Sequence, residues 1–238
     1  MRDSIRHFIA EFVGTFALVF LTGAAATGAA MRQSPTAILE AALVHGFVLG
    51  ALVTAMIRFA GHFNPAVTLG FMAARRIEPV MGGVFIIAQL MAATLAGYAL
   101  LGALPDAPAI AAQLGGQTIA SEVSAEQAIA MEAIGTFALV FTIFGSAVDP
   151  KSPRQGGLAI GLVAAGATLA LGGLTGGSLN PARSFGPAMA SGQLAGQVVY
   201  WTGPTIGAIV AALLYDQLFI RRGVDSALHG AVQPTRDT

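Results

Sequence analysis

The sequence contains no cysteine. Disulfides, thiolate metal sites and cysteine nucleophiles are therefore excluded. The four histidines are scattered and show no metal-ligand spacing. Charge is scarce as well: only 10% of the residues are Asp, Glu, Lys or Arg, against about 25% in an ordinary soluble domain. The formal net charge is zero, so nothing in the balance points to nucleic acid. No nucleophile–base constellation appears, which argues against an enzyme, and no cofactor is implied. Apolar residues take up the space: 55% of the 238 residues are hydrophobic, 30 are glycine, and the mean hydropathy is +0.73. Glycine at that frequency suits helices that pack closely in lipid. The composition describes an all-α, polytopic membrane protein.

Six apolar runs are long enough to span a bilayer, at about 8–30, 37–59, 80–102, 126–148, 156–175 and 195–219. The first has no polar cleavage region and reads as a span, not a cleaved signal peptide. Loops are short except the one from Leu104 to Ala125, which is rich in Ala, Pro and Gly. The tail from Arg221 is polar and reads as frayed. With both termini inside, Arg2, Arg6, Arg58, Arg75, Arg76, Lys151, Arg154, Arg221, Arg222 and Arg236 are all cytoplasmic. Only Arg32 and Arg183 fall on the other side, a strong positive-inside bias. The chain reads as a single transmembrane domain, 1–238, in the cell's inner (plasma) membrane.

An internal repeat divides that domain. EFVGTFALVF, from Glu11 to Phe20, returns as EAIGTFALVF, from Glu132 to Phe141, identical at eight of ten positions. The halves run over about 1–103 and 126–220, followed by the tail 221–238. Each holds three spans, and three is odd, so the second half enters from the opposite face.

Each half also holds a short segment of the same kind, GHFNPAVTLGFMAARR from Gly61 and SLNPARSFGPAMASGQL from Ser178. Asn64 and Asn180 are good N-caps, and Pro65 and Pro181 suit the first helical position. The first segment has only about 12 helical residues before Arg75 and Arg76, or ~18 Å, about half a bilayer core. Unpaired backbone cannot face lipid. Two half-spans entering from opposite faces can meet at the midplane, with Pro65-Ala66 and Pro181-Ala182 in contact and both Asn side chains facing a lumen. Arg75 and Arg76 either anchor the first half-helix or serve only as topogenic charge.

Paired NPAVT and NPARS, inverted halves, and a glutamate early in the first and fourth spans resemble the aquaporin, or major intrinsic protein, family over nearly the whole chain. The resemblance implies six transmembrane helices plus two re-entrant half-helices, a homotetramer with a pore in each subunit, and a passive channel for water and small uncharged solutes. Two half-helix dipoles aimed at the midplane and an arginine near the outer mouth would exclude cations and protons, the recognised barrier of aquaporin-type pores. Each Asn amide would donate into the pore while its oxygen accepts from backbone. Carbonyls of Gly61, His62 and Phe63, and of Gly177, Ser178 and Leu179, would form ladders of acceptors. Glu11 and Glu132 would accept bonds from the half-helix loops and hold them.

By position relative to Asn180, the resemblance assigns Arg183, Thr168 and Gly177 to the selectivity ring, with His45 or Val44 on the second span. A ring with threonine and glycine where strict water channels place bulkier groups looks wide enough for glycerol-like polyols or undissociated metalloid acids such as arsenite. Ser184, Ala188 and the Tyr200-Trp201 pair instead resemble water-channel members. A strict water channel therefore stays an alternative, and so does an ion-coupled transporter, since inverted repeats with broken helices suit both. The Asn, Pro and Ala residues at the midplane include no titratable group, which favours a channel over a coupled carrier. Membrane lipid and neutral solutes are the expected partners, and no metal is expected.

Overall fold

Asn, Ser and Pro set most of the helix starts, and apolar content sets their length. The computed structural model describes residues 2–59, 61–153 and 155–221; Arg154 and the polar tail from residue 222 lie outside the described residues. The first half contains α1 (Arg2–Met31), α2 (Ala37–Met56), the half-helix α3 (Pro65–Ala73) and α4 (Pro79–Ala103). A short helix α5 (Asp106–Ala111) breaks the long connection that the sequence presented as loop. The second half contains α6 (Ala125–Ile143), α7 (Leu158–Leu171), the half-helix α8 (Pro181–Ser191) and α9 (Gln197–Tyr215). Wider π-helical turns extend α6 through Val148 and α9 through Arg221.

Local chemistry explains the boundaries. Ser124 caps α6 in a reciprocal capping box with Gln127. Pro79 opens α4, and Gly192 closes α8 in the left-handed conformation. Among the described residues five helices are long and apolar enough to cross a membrane. The sixth, α7, has 14 helical residues, ~21 Å of helix, and turns at Gly172–Leu174 before descending into the second short segment.

The packing follows the repeat. α1 pairs with α4 and α6 with α9, while α2 against α7 joins the halves. Each half-helix rests on the last span of the other half, α3 on α9 and α8 on α4. Gly97 lets α4 meet α8 closely: a Cβ there would lie 2.4 Å from the Gly186 carbonyl oxygen. Gly207 does the same for α9 and α6, with the Ala133 carbonyl oxygen 2.0 Å from such an atom. These are close backbone approaches typical of helices in lipid.

The C-terminal ends of α3 and α9 are tied by charge. Asp216, only 1% exposed, accepts from Arg76 Nε at 2.8 Å and from Arg221 Nε at 2.6 Å. Arg76 thus fastens the C-terminal end of α3 to α9. Arg221, at the start of the segment expected to fray, is instead the last residue of the π-helical turn. A buried carboxylate needs such partners; Arg75, with φ of 57°, turns the chain out of the half-helix.

Candidate pore and selectivity site

The two short segments meet through their asparagines. Asn64 Oδ1 accepts from Ala66 N at 2.9 Å, and Asn180 Oδ1 accepts from Ala182 N at 2.9 Å. Each side chain thereby satisfies a donor of its own first turn. The amide nitrogens reach across to the opposite half. Asn64 Nδ2 donates to the Leu179 carbonyl and Asn180 Nδ2 to the Phe63 carbonyl, both at 2.8 Å. One N–H of each amide is therefore spent on bracing the halves together, where the sequence reading aimed the amides at the lumen. The same bonds engage the Phe63 and Leu179 carbonyls, two of the six assigned to acceptor ladders. Pro65, Ala66, Pro181 and Ala182 are all buried where α3 and α8 approach each other.

Phe63 and Leu179 both have positive φ, 46° and 59°. Such backbone is strained for a bulky residue and persists only where its surroundings over-determine it. Two devices from the repeat do this. The first is a carboxylate. Glu11 accepts from Gly61 N and His62 N at 2.9 Å, from Phe63 N at 2.8 Å and from Gln89 Nε2 at 2.7 Å. Glu132 accepts from Ser178 N at 2.9 Å, Leu179 N at 2.7 Å and Thr175 Oγ1 at 2.6 Å. Both glutamates are 0% exposed.

The second device is a gap three residues later on the same helix face. A Cβ on Gly14 would sit 2.1 Å from Phe63 Cε1, and one on Gly135 would sit 2.6 Å from Leu179 Cδ2. These glycines seat the strained side chains. Gly14→Val should therefore destabilise the channel by about 1–3 kcal/mol through overpacking. Adding Phe63→Leu, which supplies the side chain used in the other half, should recover most of the loss. Thermal unfolding of the purified protein checks both steps; a Gly14→Val variant as stable as the parent would refute the seating role.

Around Arg183 the second segment builds a compact polar cluster. Arg183 is 4% exposed. Its Nη1 donates to the Gly177 carbonyl at 3.0 Å and to the Ser178 carbonyl at 3.5 Å. Its Nε is buried without a protein acceptor. Thr168 Oγ1 donates to the same Gly177 carbonyl at 3.2 Å and meets His45 Nδ1 at 2.8 Å. His45 is buried within this cluster, whereas Val44 is half-buried and makes no polar contact with it. Thr168, Gly177, Arg183 and His45 are thus linked by hydrogen bonds.

Gly177 plays a different part from the one its missing side chain suggested. Its φ is +55°, and a Cβ there would lie 2.8 Å from Thr168 Cα. A side chain at 177 would strike the backbone of α7, so what the residue contributes is its carbonyl. Open space at this level depends on Thr168.

One vestibule lies against each short segment. One of about 270 Å³ is lined by Gly61, His62, Phe71, Arg76 and Phe85 on the side of the termini. The other, about 180 Å³, is lined by Gly116, Gln117, Thr168, Gly176 and Arg183. His62 Nδ1 contacts Thr68 Oγ1 at 3.1 Å, and its ring lies tilted against Phe71 and edge-on to Phe85. Gln89, Thr68 and Gln117 were not legible as site residues; each is brought in by a contact between distant segments. Among the described residues no cluster of His, Cys, Asp and Glu could hold a metal.

The family model for the major intrinsic protein matches residues 1–215. Aquaporin TIP2-1 of Arabidopsis thaliana is 38% identical over 226 residues, covering 91% of this chain and 88% of that protein. Aquaporin TIP4-4 of Zea mays is 38% identical over 232 residues, covering 92% and 88%. The X-ray structure of the aquaglyceroporin from Plasmodium falciparum superposes with a TM-score of 0.78 at 23% identity, covering 94% of this chain and 99% of that one. At that identity the superposition speaks for the fold.

Proposed function

The chain belongs to the major intrinsic protein family, and from that premise we propose that its pore runs past Asn64 and Asn180 and is filtered by Arg183, Thr168, Gly177 and His45. The protein is a membrane channel, not an enzyme, and carries water and small uncharged solutes passively. The observation that carries the pore reading is the pair of half-helices meeting N-terminus to N-terminus beside a buried guanidinium whose Nε has no protein acceptor.

Each Asn amide keeps one hydrogen after bracing the opposite half. A water at the midplane would accept from both amides, and its own protons would then point away from them. The half-positive ends of α3 and α8 add to this orientation and oppose a cation. Nearer the outer mouth, Arg183 adds a full positive charge held by the Gly177 and Ser178 carbonyls. Glu11 and Glu132 act on the loops; their oxygens are occupied by backbone and side-chain donors, so they do not serve as an acid–base pair.

The solutes we assign are glycerol-like polyols and undissociated metalloid acids such as arsenite, together with water. Support comes from Thr168, whose small side chain leaves the ring less filled than an aromatic would. Thr168→Phe should cut glycerol permeability about tenfold while water falls only about two- to threefold, since pore diameter sets selectivity. Stopped-flow light scattering on proteoliposomes reads both. Water flux with no measurable glycerol or arsenite flux in the parent protein would instead establish a strict water channel. We further place both termini on the cytoplasmic side of the plasma membrane, since Arg6, Arg58, Arg76, Lys151 and Arg221 lie toward one end of the bundle. A homotetramer is also proposed, with each pore complete within one subunit.

A further inference from the structure

The repeat extends to a polar triad that the two halves complete differently. In the first half, the residue two before Asn64 meets the residue four after it: His62 Nδ1 lies 3.1 Å from Thr68 Oγ1. A glutamine from the span α4 completes the set, Gln89 Nε2 donating to Thr68 Oγ1 at 3.1 Å. The second half places Ser178 and Ser184 at the same offsets from Asn180, and their hydroxyls are hydrogen-bonded, both residues being 0% exposed. Here the glutamine comes from the outer loop: Ser184 Oγ donates to Gln117 Oε1 at 2.7 Å.

We propose that Gln117 is a positioning and specificity-determining residue of the channel, holding the Arg183 end of the filter through Ser184 and Ser178. This rests on the pore reading given above. The bonds have a direction. A serine hydroxyl has one proton. If Ser184 gives its proton to Gln117, its oxygen is free to accept from Ser178. The Ser178 oxygen in turn faces Asn180 N at 3.4 Å. Ser178 Oγ also lies 2.9 Å from the Asn180 carbonyl, to which it can donate, so its single proton is shared between that carbonyl and Ser184; removing the Gln117 acceptor lets Ser184 donate back to Ser178 and leaves the Ser178 proton wholly with the Asn180 carbonyl. The rearranged residue is the one whose carbonyl, with that of Gly177, receives the Arg183 guanidinium.

The loop is held where this contact requires it. Gln117 Nε2 donates to the Gly115 carbonyl at 3.2 Å, and Ala120 N donates to the Leu174 carbonyl at 2.9 Å. Gln117 packs on Gly176 so closely that a Cβ at 176 would lie 2.7 Å from Gln117 Cβ. Gln117 also lines the vestibule that contains Arg183 and Thr168. The connection outside the inverted repeat therefore supplies the second half with what α4 supplies to the first.

The test is a double-mutant cycle in proteoliposomes of the full chain, reading the glycerol-to-water permeability ratio at equal protein per vesicle. Gln117→Met keeps the volume and removes the acceptor; it should raise the ratio about threefold, the factor a single neutral hydrogen bond commands. Ser184→Ala should produce the same rise, and the double variant no more than either alone. Gln117→Glu, which retains an acceptor, should keep the parent ratio. Additive effects, or water and glycerol falling in proportion, would overturn the proposal by reducing Gln117 to a structural prop. Arg183→Val separates the two readings. If it shifts the ratio and Gln117→Met does not, the proposal falls and the filter reading stands; if neither shifts it, both fall.

Discussion

Replacing Glu132 by leucine should abolish the channel, although the two side chains are similar in size. The substitution strands Ser178 N, Leu179 N and the Thr175 hydroxyl in a site with no exposure to water. Each buried donor left unmade costs about 1–3 kcal/mol. Three of them approach the whole stability of an ordinary domain, about 5–15 kcal/mol. The strained backbone at Leu179 loses its restraint at the same time. Glu132→Gln should fall between, because its amide oxygen still accepts while its NH₂ faces a backbone N–H. Glu11→Leu should repeat the result from the other half, stranding the Gly61, His62 and Phe63 amides. Thermal unfolding of the purified variants, with water permeability per unit protein, measures both losses. A leucine variant with parental stability and flux would remove the carboxylate from its supporting role.

The second large effect is expected at Arg183. Arg183→Val should leave the fold intact and raise the leakage of cations or protons at least about tenfold. A unit charge about 4 Å from a passing cation, at an effective dielectric near 20, opposes it by about 4 kcal/mol. The half-helix ends remain, so the barrier is lowered, not removed. The lost side chain also takes its bonds to the Gly177 and Ser178 carbonyls with it, leaving acceptors exposed to whatever enters. Dye-reported proton flux in proteoliposomes under an imposed potential is the readout. An ion conductance equal to that of the parent would sink the barrier role.

What could be read directly from the chain was local or repeated. The Asn–Pro start of each half-helix is a cap plus a first-turn residue, and its chemistry is complete within three positions. The six spans are long apolar runs, and the inverted topology follows from counting them between two near-identical decapeptides. Glu11 and Glu132 stand out because a carboxylate in an apolar span needs partners.

The remainder depends on which distant atoms face one another, and spacing does not encode that. Asn64 and Leu179, or Asn180 and Phe63, are more than a hundred residues apart, so the crossed amides had no signature. Gly14 and Gly135 carried no sign of their role, because Phe63 and Leu179, which press against them, lie on other segments of the chain. Gly177 looked like an opening, yet its missing side chain points at the α7 backbone. Choosing His45 over Val44 required the Thr168 hydroxyl beside it. Gln117 lies in the connection between the halves, which has no counterpart in the repeat, so symmetry could not pick it out. Asp216 sits in a π-helical turn that the hydropathy of the last span conceals.

The account's central claim is passive conduction through a preformed pore. Stopped-flow light scattering on proteoliposomes, run with water, glycerol, urea and arsenite gradients and repeated under an imposed proton gradient, tests it most directly. The account predicts protein-dependent flux that follows each solute's own gradient, is unchanged by the proton gradient, and stops at equal concentrations. Accumulation of any solute beyond equilibrium, driven by the proton gradient, would contradict it.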